Sequence, residues 1–263
     1  MPIVLVTVAL LGLAVGSFLN VVIYRVPAGM SLSHPSSHCP VCDRPIRWRH
    51  NVPVLGWLIL RGRCADCRTR ISPRYPLVEL ATAIIFVLLA LRLNQLDLLA
   101  MLPAFLYFAA IGVSLTMIDV DTHRLPNSIV LPSYPVLALL LTLGAVARDE
   151  PSALLRTLIG GLALYLFYLA THLAYPRGMG YGDVKLAGLV GGMLASVSYS
   201  TLLVGAFLAF VLGSVVSVAL LSAGRASRKS HLPFGPYMIV AVLIALFVAS
   251  PVSSFYSHLA LGG

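Results

Sequence analysis

The chain has 263 residues, 59% of them hydrophobic and only 10% charged, with a formal net charge of +9. A soluble domain carries about a quarter charged residues. An ordinary soluble protein is therefore excluded, and the composition predicts an all-α polytopic membrane protein whose residues are spent mostly on crossing lipid.

In chain order, eight apolar spans are expected, over residues 3–23, 77–93, 98–118, 129–146, 158–174, 184–197, 201–221 and 237–252. Several fall short of the roughly 20 residues of an upright span, and the sixth is the shortest and richest in glycine. The first run has no basic segment before it and ends at Arg25, so it reads as an uncleaved span rather than a cleaved signal. Two units are expected: residues 1–76, a span followed by a polar loop, and residues 77–263, a seven-span bundle. Pro103, Pro132 and Pro135 are expected to kink the third and fourth spans.

Eight spans put both termini on one side. The loop after the first span holds Arg25, Arg44, Arg47, Arg49, Arg61, Arg63, Arg68, Arg70 and Arg74. Arg124, Arg177, Lys185, Arg225, Arg228 and Lys229 fall on the same side, leaving Arg92, Arg148 and Arg156 for the other. The positive-inside rule places the long first loop in the cytoplasm and the termini outside. These arginines read as a topology signal and a contact for anionic lipid, with no nucleic-acid partner expected.

All four cysteines lie in that loop, as Cys39-Pro-Val-Cys42 and Cys64-Ala-Asp-Cys67. Two CxxC turns separated by about twenty residues are a zinc signature, because each turn aims two thiolates at one point and two turns complete a tetrahedron. A reducing cytoplasm disfavours disulfides here. The expectation is a small zinc-ribbon-like loop with a structural Zn²⁺ that supplies much of its folding free energy. His34, His38 and His50 are expected to be loop residues rather than ligands. Free thiols or redox pairs are the other reading.

Among the bundle's small residues, Gly160, Gly161, Gly188, Gly191, Gly192, Gly205 and Gly213 read as close-packing positions between helices. Gly180 and Gly182 flank Tyr181 just before Asp183 and suggest unusual backbone angles or close backbone approach. An ionisable group at a membrane span is a functional hypothesis by default. Asp119, closing the third span, and Asp183, opening the sixth, fall at one depth on the same face. Two neighbouring carboxylates share a proton and titrate as a unit. One can then activate water while the other polarises a carbonyl, as in aspartic proteases. Helix-end charges, a proton-coupled transporter using the same acids, and a zinc-ribbon adaptor that leaves them idle are the competing readings. A lone His172 does not make a relay. Asp121 could support the acids or be solvated, Glu79 could support them or be a snorkelling interfacial acid, and Lys185 reads as an interfacial anchor.

Six motifs occur in order. They are Gly16-Ser17-Phe18-Leu19-Asn20-Val21-Val22-Ile23-Tyr24-Arg25, the two CxxC knuckles, Arg74-Tyr75-Pro76-Leu77-Val78-Glu79, Ile118-Asp119-Val120-Asp121 with Leu125-Pro126, Gly178-Met179-Gly180-Tyr181-Gly182-Asp183-Val184-Lys185, and Pro233-Phe234-Gly235-Pro236. Across nearly the whole chain they resemble the bacterial type IV prepilin peptidases, bifunctional leader peptidase/N-methyltransferases of type IV pilus and type II secretion systems. The GxGD-type motif is also similar to that of presenilin-like intramembrane aspartyl proteases. The resemblance implies an inner-membrane enzyme that cleaves prepilin and pseudopilin leaders after a glycine at the cytoplasmic face. It implies Asp119 and Asp183 as the catalytic pair, and methylation of the new N-terminus by S-adenosylmethionine. Asn127 stands where many members carry aspartate. No Gly-rich strand-to-helix fingerprint for the methyl donor is present. That half rests on the resemblance, which associates it with the first loop region without assigning residues.

Overall fold

The structure, a computed structural model, describes residues 1–176, 179–224 and 233–261, with residues 250–261 given by backbone alone. Arg177, Gly178, Arg225, Arg228 and Lys229 of the reading above lie outside the described residues. Nine α-helices are described: α1 (Pro2–Arg25), α2 (Leu55–Ile59), α3 (Arg74–Gln95), α4 (Leu102–Thr122), α5 (Asn127–Ala147), α6 (Ser152–Ala174), α7 (Tyr181–Val197), α8 (Tyr199–Ser222) and α9 (Gly235–Leu261). Among the described residues there are no strands, only the isolated bridges His38–Pro45 and Arg63–Arg70.

A long helix occupies each of the eight expected spans, and six are long and apolar enough to cross a membrane. Helix α7 has only 17 residues. As expected it is the shortest of the eight, whereas three other spans expected to be short are not: α3, α5 and α6 have 22, 21 and 23 residues. Their polar end turns are helical without being apolar, so hydropathy alone trims them. Pro103 corrects another expectation. It lies in the first turn of α4, where its missing N–H had no partner to lose, and so it starts the helix rather than kinking it. Pro132 and Pro135 do lie inside α5.

The chain divides into two compact units, residues 1–97 with 109–114, and residues 98–108 with 115–263. In the first, α1 and α3 meet backbone to backbone. A Cβ at Gly12 would stand 2.6 Å from Ala83 Cα, and one at Gly16 2.7 Å from Glu79 Cα. Side chains there would force the helices apart, and small residues are what close packing in lipid requires.

In the second unit α6 and α7 touch in the same way. Gly160 and Gly191 face each other, and a Cβ at Gly161 would stand 3.0 Å from the Gly188 carbonyl. Gly205 of α8 receives Leu194 of α7, and Gly213 of α8 receives the ring of Phe234, just before α9. The glycines expected to pack do pack, and Gly160, Gly161, Gly188, Gly191 and Gly205 set the close contacts of α7. Thirteen of its 17 residues are buried, Asp183 among them.

Candidate active site

Asp119 sits in the last turn of α4 with 4% of its surface exposed, while Asp121, two residues on, is exposed. A spacing of two turns a helical side chain to another face. The helix stops at His123, whose φ of 53° lies in the left-handed region and whose N–H donates to the Asp119 carbonyl at 2.8 Å. Leu125 and Pro126 follow, and α5 begins at Asn127.

Asp183 lies in the first turn of α7 and is 8% exposed. Its N–H donates to the Gly180 carbonyl at 3.1 Å. Negative charge is favoured at a helix N-terminus. Gly180 has an ordinary extended backbone, φ −70° and ψ 144°, and Gly182 is helical, so neither glycine is there for an unusual angle. Close approach is the reason. A Cβ on Gly180 would stand 3.2 Å from Asp183 Oδ2, and one on Gly182 would stand 3.1 Å from Leu125 Cβ.

A third segment joins them. The Gly235 amide, at the start of α9, lies next to both carboxylates, and Asp183 is within electrostatic reach of Asp119. Gly235 also packs on Leu125, so Leu125 is wedged between the two glycines. Proximity does not complete the hydrogen bonding: Asp119 Oδ2 is buried with no partner of acceptable geometry. A buried polar atom left unpaired calls for a water, a proton or a substrate group.

Around the acids the second unit is aromatic. Tyr168, 1% exposed and within electrostatic reach of Asp183, packs on Phe210 at 5.6 Å and on Phe234 at 6.1 Å between ring centres. Phe210, Phe234 and Tyr237 line a cavity of about 310 Å³. Lys185 does not act as a free anchor. Its ammonium donates to Asn127 Oδ1 at 2.9 Å and lies 4.8 Å from the centre of the Tyr181 ring. His172 is tied to the Met179 carbonyl at 2.8 Å. Glu79 belongs to the first unit, where it is 8% exposed and accepts from the Val54 N–H at 2.6 Å.

The sequence reading did not find Gly235, Leu125 or Tyr168 as neighbours of the acids. Gly235 carried a signal, since a Pro-flanked glycine opening a span resembles the Gly180–Gly182 pattern. Tyr168 carried none, because an aromatic residue on an apolar helix reads as packing.

The first unit holds the cysteines. All four Sγ atoms lie within 4.8 Å of one another, with Cys39–Cys67 at 3.7 Å and Cys42–Cys64 at 4.0 Å. Two knuckles of one design bring them together. Cys39 N–H donates to Arg44 O and Asp43 N–H to Cys39 O; Cys64 N–H donates to Thr69 O and Arg68 N–H to Cys64 O. Asp43 and Arg68, each directly after a knuckle's second cysteine, take positive φ values of 57° and 62°. Arg44 and Arg47 both reach Asp66, at 3.0 and 3.3 Å, and fasten one knuckle to the other. A tetrahedral site with Zn–S bonds of about 2.3 Å needs sulfurs about 3.8 Å apart, so the four thiols fit such an ion. The backbone amides of Cys67 and Asp66 pull the Cys64 thiol down to about 7, toward the thiolate a metal requires. No histidine joins the cluster among the described residues: His38 lies 3.7 Å from Asp43 instead.

Fold and site together define a multi-pass, all-helical membrane protein with paired buried acids at its helix ends and a four-cysteine cluster in its first loop. Residues 10–93 match the bacterial peptidase A24 N-terminal domain, and residues 105–218 match the type IV leader peptidase family. Proteins named prepilin leader peptidase/N-methyltransferase are similar along almost their whole length. The one from Stutzerimonas stutzeri is 34% identical over 98% of this chain and 96% of its own. Those from Pseudomonas putida and Neisseria gonorrhoeae are 37% and 36% identical, over 93% and 89% of this chain and 91% and 86% of their own. No solved structure matches. The chain belongs to the type IV leader peptidase family.

Proposed function

We propose that this chain is a membrane aspartyl endopeptidase that removes the leader of type IV prepilins and pseudopilins, with Asp119 and Asp183 as its catalytic pair. The observation that carries the reading is the Gly235 amide lying beside two buried carboxylates, with Asp183 within electrostatic reach of Asp119. In this mechanism the pair holds one proton. The ionised carboxylate takes a proton from water, whose oxygen attacks the scissile carbonyl carbon, while the protonated carboxyl polarises the carbonyl oxygen. The C–N bond then breaks and the departing amine takes up a proton. The unpartnered Asp119 Oδ2 is suited to hold the water or the shared proton. The aromatic cavity beside Gly235 offers apolar surface to the substrate's own membrane segment.

The relatives' names carry a second activity. On that ground the new N-terminus is methylated in the same enzyme, with S-adenosylmethionine as the donor. Cys39, Cys42, Cys64 and Cys67 hold a structural Zn²⁺, which four thiolates would close to substrate. The charge count supports an inner-membrane placement with the first loop and the acidic helix ends cytoplasmic and the termini outside. That depth suits a substrate whose basic leader meets its apolar helix at the inner interface. A transporter reading finds no support, since the relatives above are named as peptidases and methyltransferases.

The test is incubation of the purified protein with a prepilin peptide and S-adenosylmethionine, read by mass spectrometry. The expected product lacks its leader and carries one added methyl group. An intact peptide, under conditions where a related leader peptidase cuts it, overturns the reading.

A further inference from the structure

The short helix α2, in the first loop, turns its apolar face outward. Leu55, Leu58 and Ile59 have the i, i+3, i+4 spacing that puts three side chains on one helical face. They are 56%, 54% and 68% exposed. The other side of the helix is already occupied. A Cβ at Gly56 would collide with the His50 carbonyl, so α2 rests directly on the backbone of the turn Trp48–His50. Trp57 donates from Nε1 to the Ile71 carbonyl at 3.2 Å, and its ring packs on Gly62. Trp48, in the turn that α2 rests on, is 85% exposed.

Two buried polar side chains set the depth at which this face lies. Arg25, the last residue of α1, donates from Nη1 to the Ser31 carbonyl at 2.9 Å and from Nη2 to the Pro35 carbonyl at 2.6 Å, so the chain leaving α1 is held against it. Glu79 accepts from the N–H of Val54, the residue just before α2. Val54 is β-branched and sits at φ 60°. A backbone so far from the usual regions persists only where its surroundings insist on it, and Glu79 is the group that holds it there. Glu79 is the sixth residue of α3, about 7 Å along a helix that rises 1.5 Å per residue. Helix α3 is long and apolar enough to cross a membrane. The start of α2 is therefore level with the first turns of a spanning helix, at headgroup depth rather than out in water.

Charge says what covers the face. Arg49 precedes α2, and Arg61 and Arg63 follow it, all three exposed. Among the described residues no carboxylate pairs with them. The acids of the loop are engaged elsewhere: Asp66 takes Arg44 and Arg47, and Asp43 lies beside His38. An exposed apolar face rimmed by uncompensated arginines matches an anionic lipid surface, where guanidinium groups meet phosphates and apolar side chains meet acyl chains. A second copy of this chain fits less well, because it would set like charge against like.

We propose that α2 is an interfacial anchor: Leu55, Leu58 and Ile59 enter an anionic phospholipid leaflet, with Arg49, Arg61 and Arg63 on its phosphates and Trp48 at the boundary. The inference rests on α1 and α3 crossing the membrane and not on the peptidase reading. It goes beyond the charge attraction expected of the loop, since an apolar face inserts. A face of this kind seats about 5–10 Å into the boundary between headgroups and acyl chains, and tryptophan is favoured at that level. Cys64 follows Ile59 by only five residues, so the four-cysteine cluster is held at the lipid surface instead of projecting into water.

The chain has two tryptophans, Trp48 and Trp57, both in this loop, so its own fluorescence reports the contact. The full chain is reconstituted into phosphatidylcholine vesicles, with and without phosphatidylglycerol, whose acyl chains carry bromine near the headgroup. Trp48→Phe supplies the Trp57 baseline. In the anionic vesicles bromine is expected to quench about half or more of the Trp48 emission, and clearly less without phosphatidylglycerol or at high salt. Leu58→Asp puts a charge on the inserted face and should abolish the quenching. The neutral combination of Leu55→Ser, Leu58→Ser and Ile59→Ser should remove most of it. In the Trp48→Phe background, Trp57 should stay as shielded from aqueous iodide in these variants as without them, which shows the loop still folded. A wild-type Trp48 open to iodide and untouched by bromine in both vesicles overturns the proposal, as does wild-type quenching in both face variants. Equal quenching in the two lipids overturns the anionic assignment. So does a Trp48 shielded from both quenchers and released when the lipid-to-protein ratio is raised, the behaviour of a face covered by a second copy.

Discussion

Gly235 stands against Asp119 so closely that a Cβ on it would lie 2.9 Å from Asp119 Oδ2 and 3.2 Å from Leu125 Cδ2. Leu125 has little room to yield, because it is already packed on Gly182. Gly235→Ala should therefore displace the Asp119 carboxylate rather than be absorbed. A catalytic group displaced by about 1 Å costs roughly 10²-fold in rate. The expected outcome is a fall of that order in cleavage, with insertion and yield close to wild type. Cleavage at the wild-type rate would remove Gly235 from the site.

Asp119→Asn and Asp183→Asn keep shape and remove charge. Each should reduce cleavage by about 10³-fold or more, since either change removes a carboxylate from the proton-sharing pair. Thermal stability should not fall for Asp119→Asn, because Oδ2 of that residue has no hydrogen bond to lose. A pre-cleaved pilin peptide should still be methylated by both variants. That split separates loss of chemistry from loss of fold, and a variant that still cuts would acquit its residue.

The cysteine cluster should respond to acid. The Cys64 thiol sits at about 7, below its ordinary value of 9.0, because the amides of Cys67 and Asp66 favour the thiolate. A depressed folded value means that the stabilisation is complete above about 9 and is lost as pH falls through about 7. Cys67 is pushed the other way, up to about 12, so protons compete with the metal already at neutral pH. Zinc affinity should therefore fall throughout as pH is lowered, by about tenfold per pH unit for each proton displaced, and more steeply below about 7. Titration with a chelating dye at several pH values measures this. Chelator at neutral pH should expose the loop near Arg61–Arg70 to protease, and an unchanged digestion pattern would show that the loop folds without metal.

Glu150 tests an ion pair away from both sites. It lies between α5 and α6 with Arg148 and Arg156 each 2.7 Å from a carboxylate oxygen. The hydrogen bond from Arg156, with Arg148 beside it, holds its carboxyl below the usual range. That stabilisation is present above the ordinary carboxylate value and disappears as pH falls beneath it. Between pH 6 and 8 the wild-type melting temperature should owe no slope to this group. Glu150→Gln should cost about 1 kcal/mol, since partly exposed pairs are weak, and should leave cleavage unchanged.

How much of this was legible in the chain differs by element. Helix placement followed from apolar runs, and the knuckles followed from spacing alone, because two CxxC turns constrain four sulfurs locally. The packing role of Gly160 and Gly191 could be read because lipid leaves small residues few other uses. What escaped was long-range. Gly235 lies 116 residues from Asp119, and no local period links a glycine opening one helix to an acid closing another. Gly180 and Gly182 were expected to serve either angle or approach. Only the neighbours, Asp183 Oδ2 and Leu125, decide for approach. Arg25 and Glu79 looked like interfacial charges because their burial depends on a loop with no periodicity.

Helix α7 offers the last prediction, since it carries Asp183 and is positioned by contact with α6. A Cβ at Gly191 would collide with the Gly160 carbonyl and stand 2.8 Å from Leu164 Cβ. The obstruction is backbone on one side and a buried leucine on the other, so it cannot rotate away. Gly191→Ala must then separate α6 from α7, at a cost of about 1–3 kcal/mol for overpacking. Asp183 lies about two turns from Gly191 on the same helix, so the displacement should reach the acid pair. Both the melting temperature and the cleavage rate should fall together. Gly192→Ala is the control. Its nearest neighbour would be Thr157 Cγ2 at 3.4 Å, an ordinary contact, and it should change neither quantity appreciably. If the two variants behaved alike, close approach of α6 and α7 at Gly191 would not be what sets the position of Asp183.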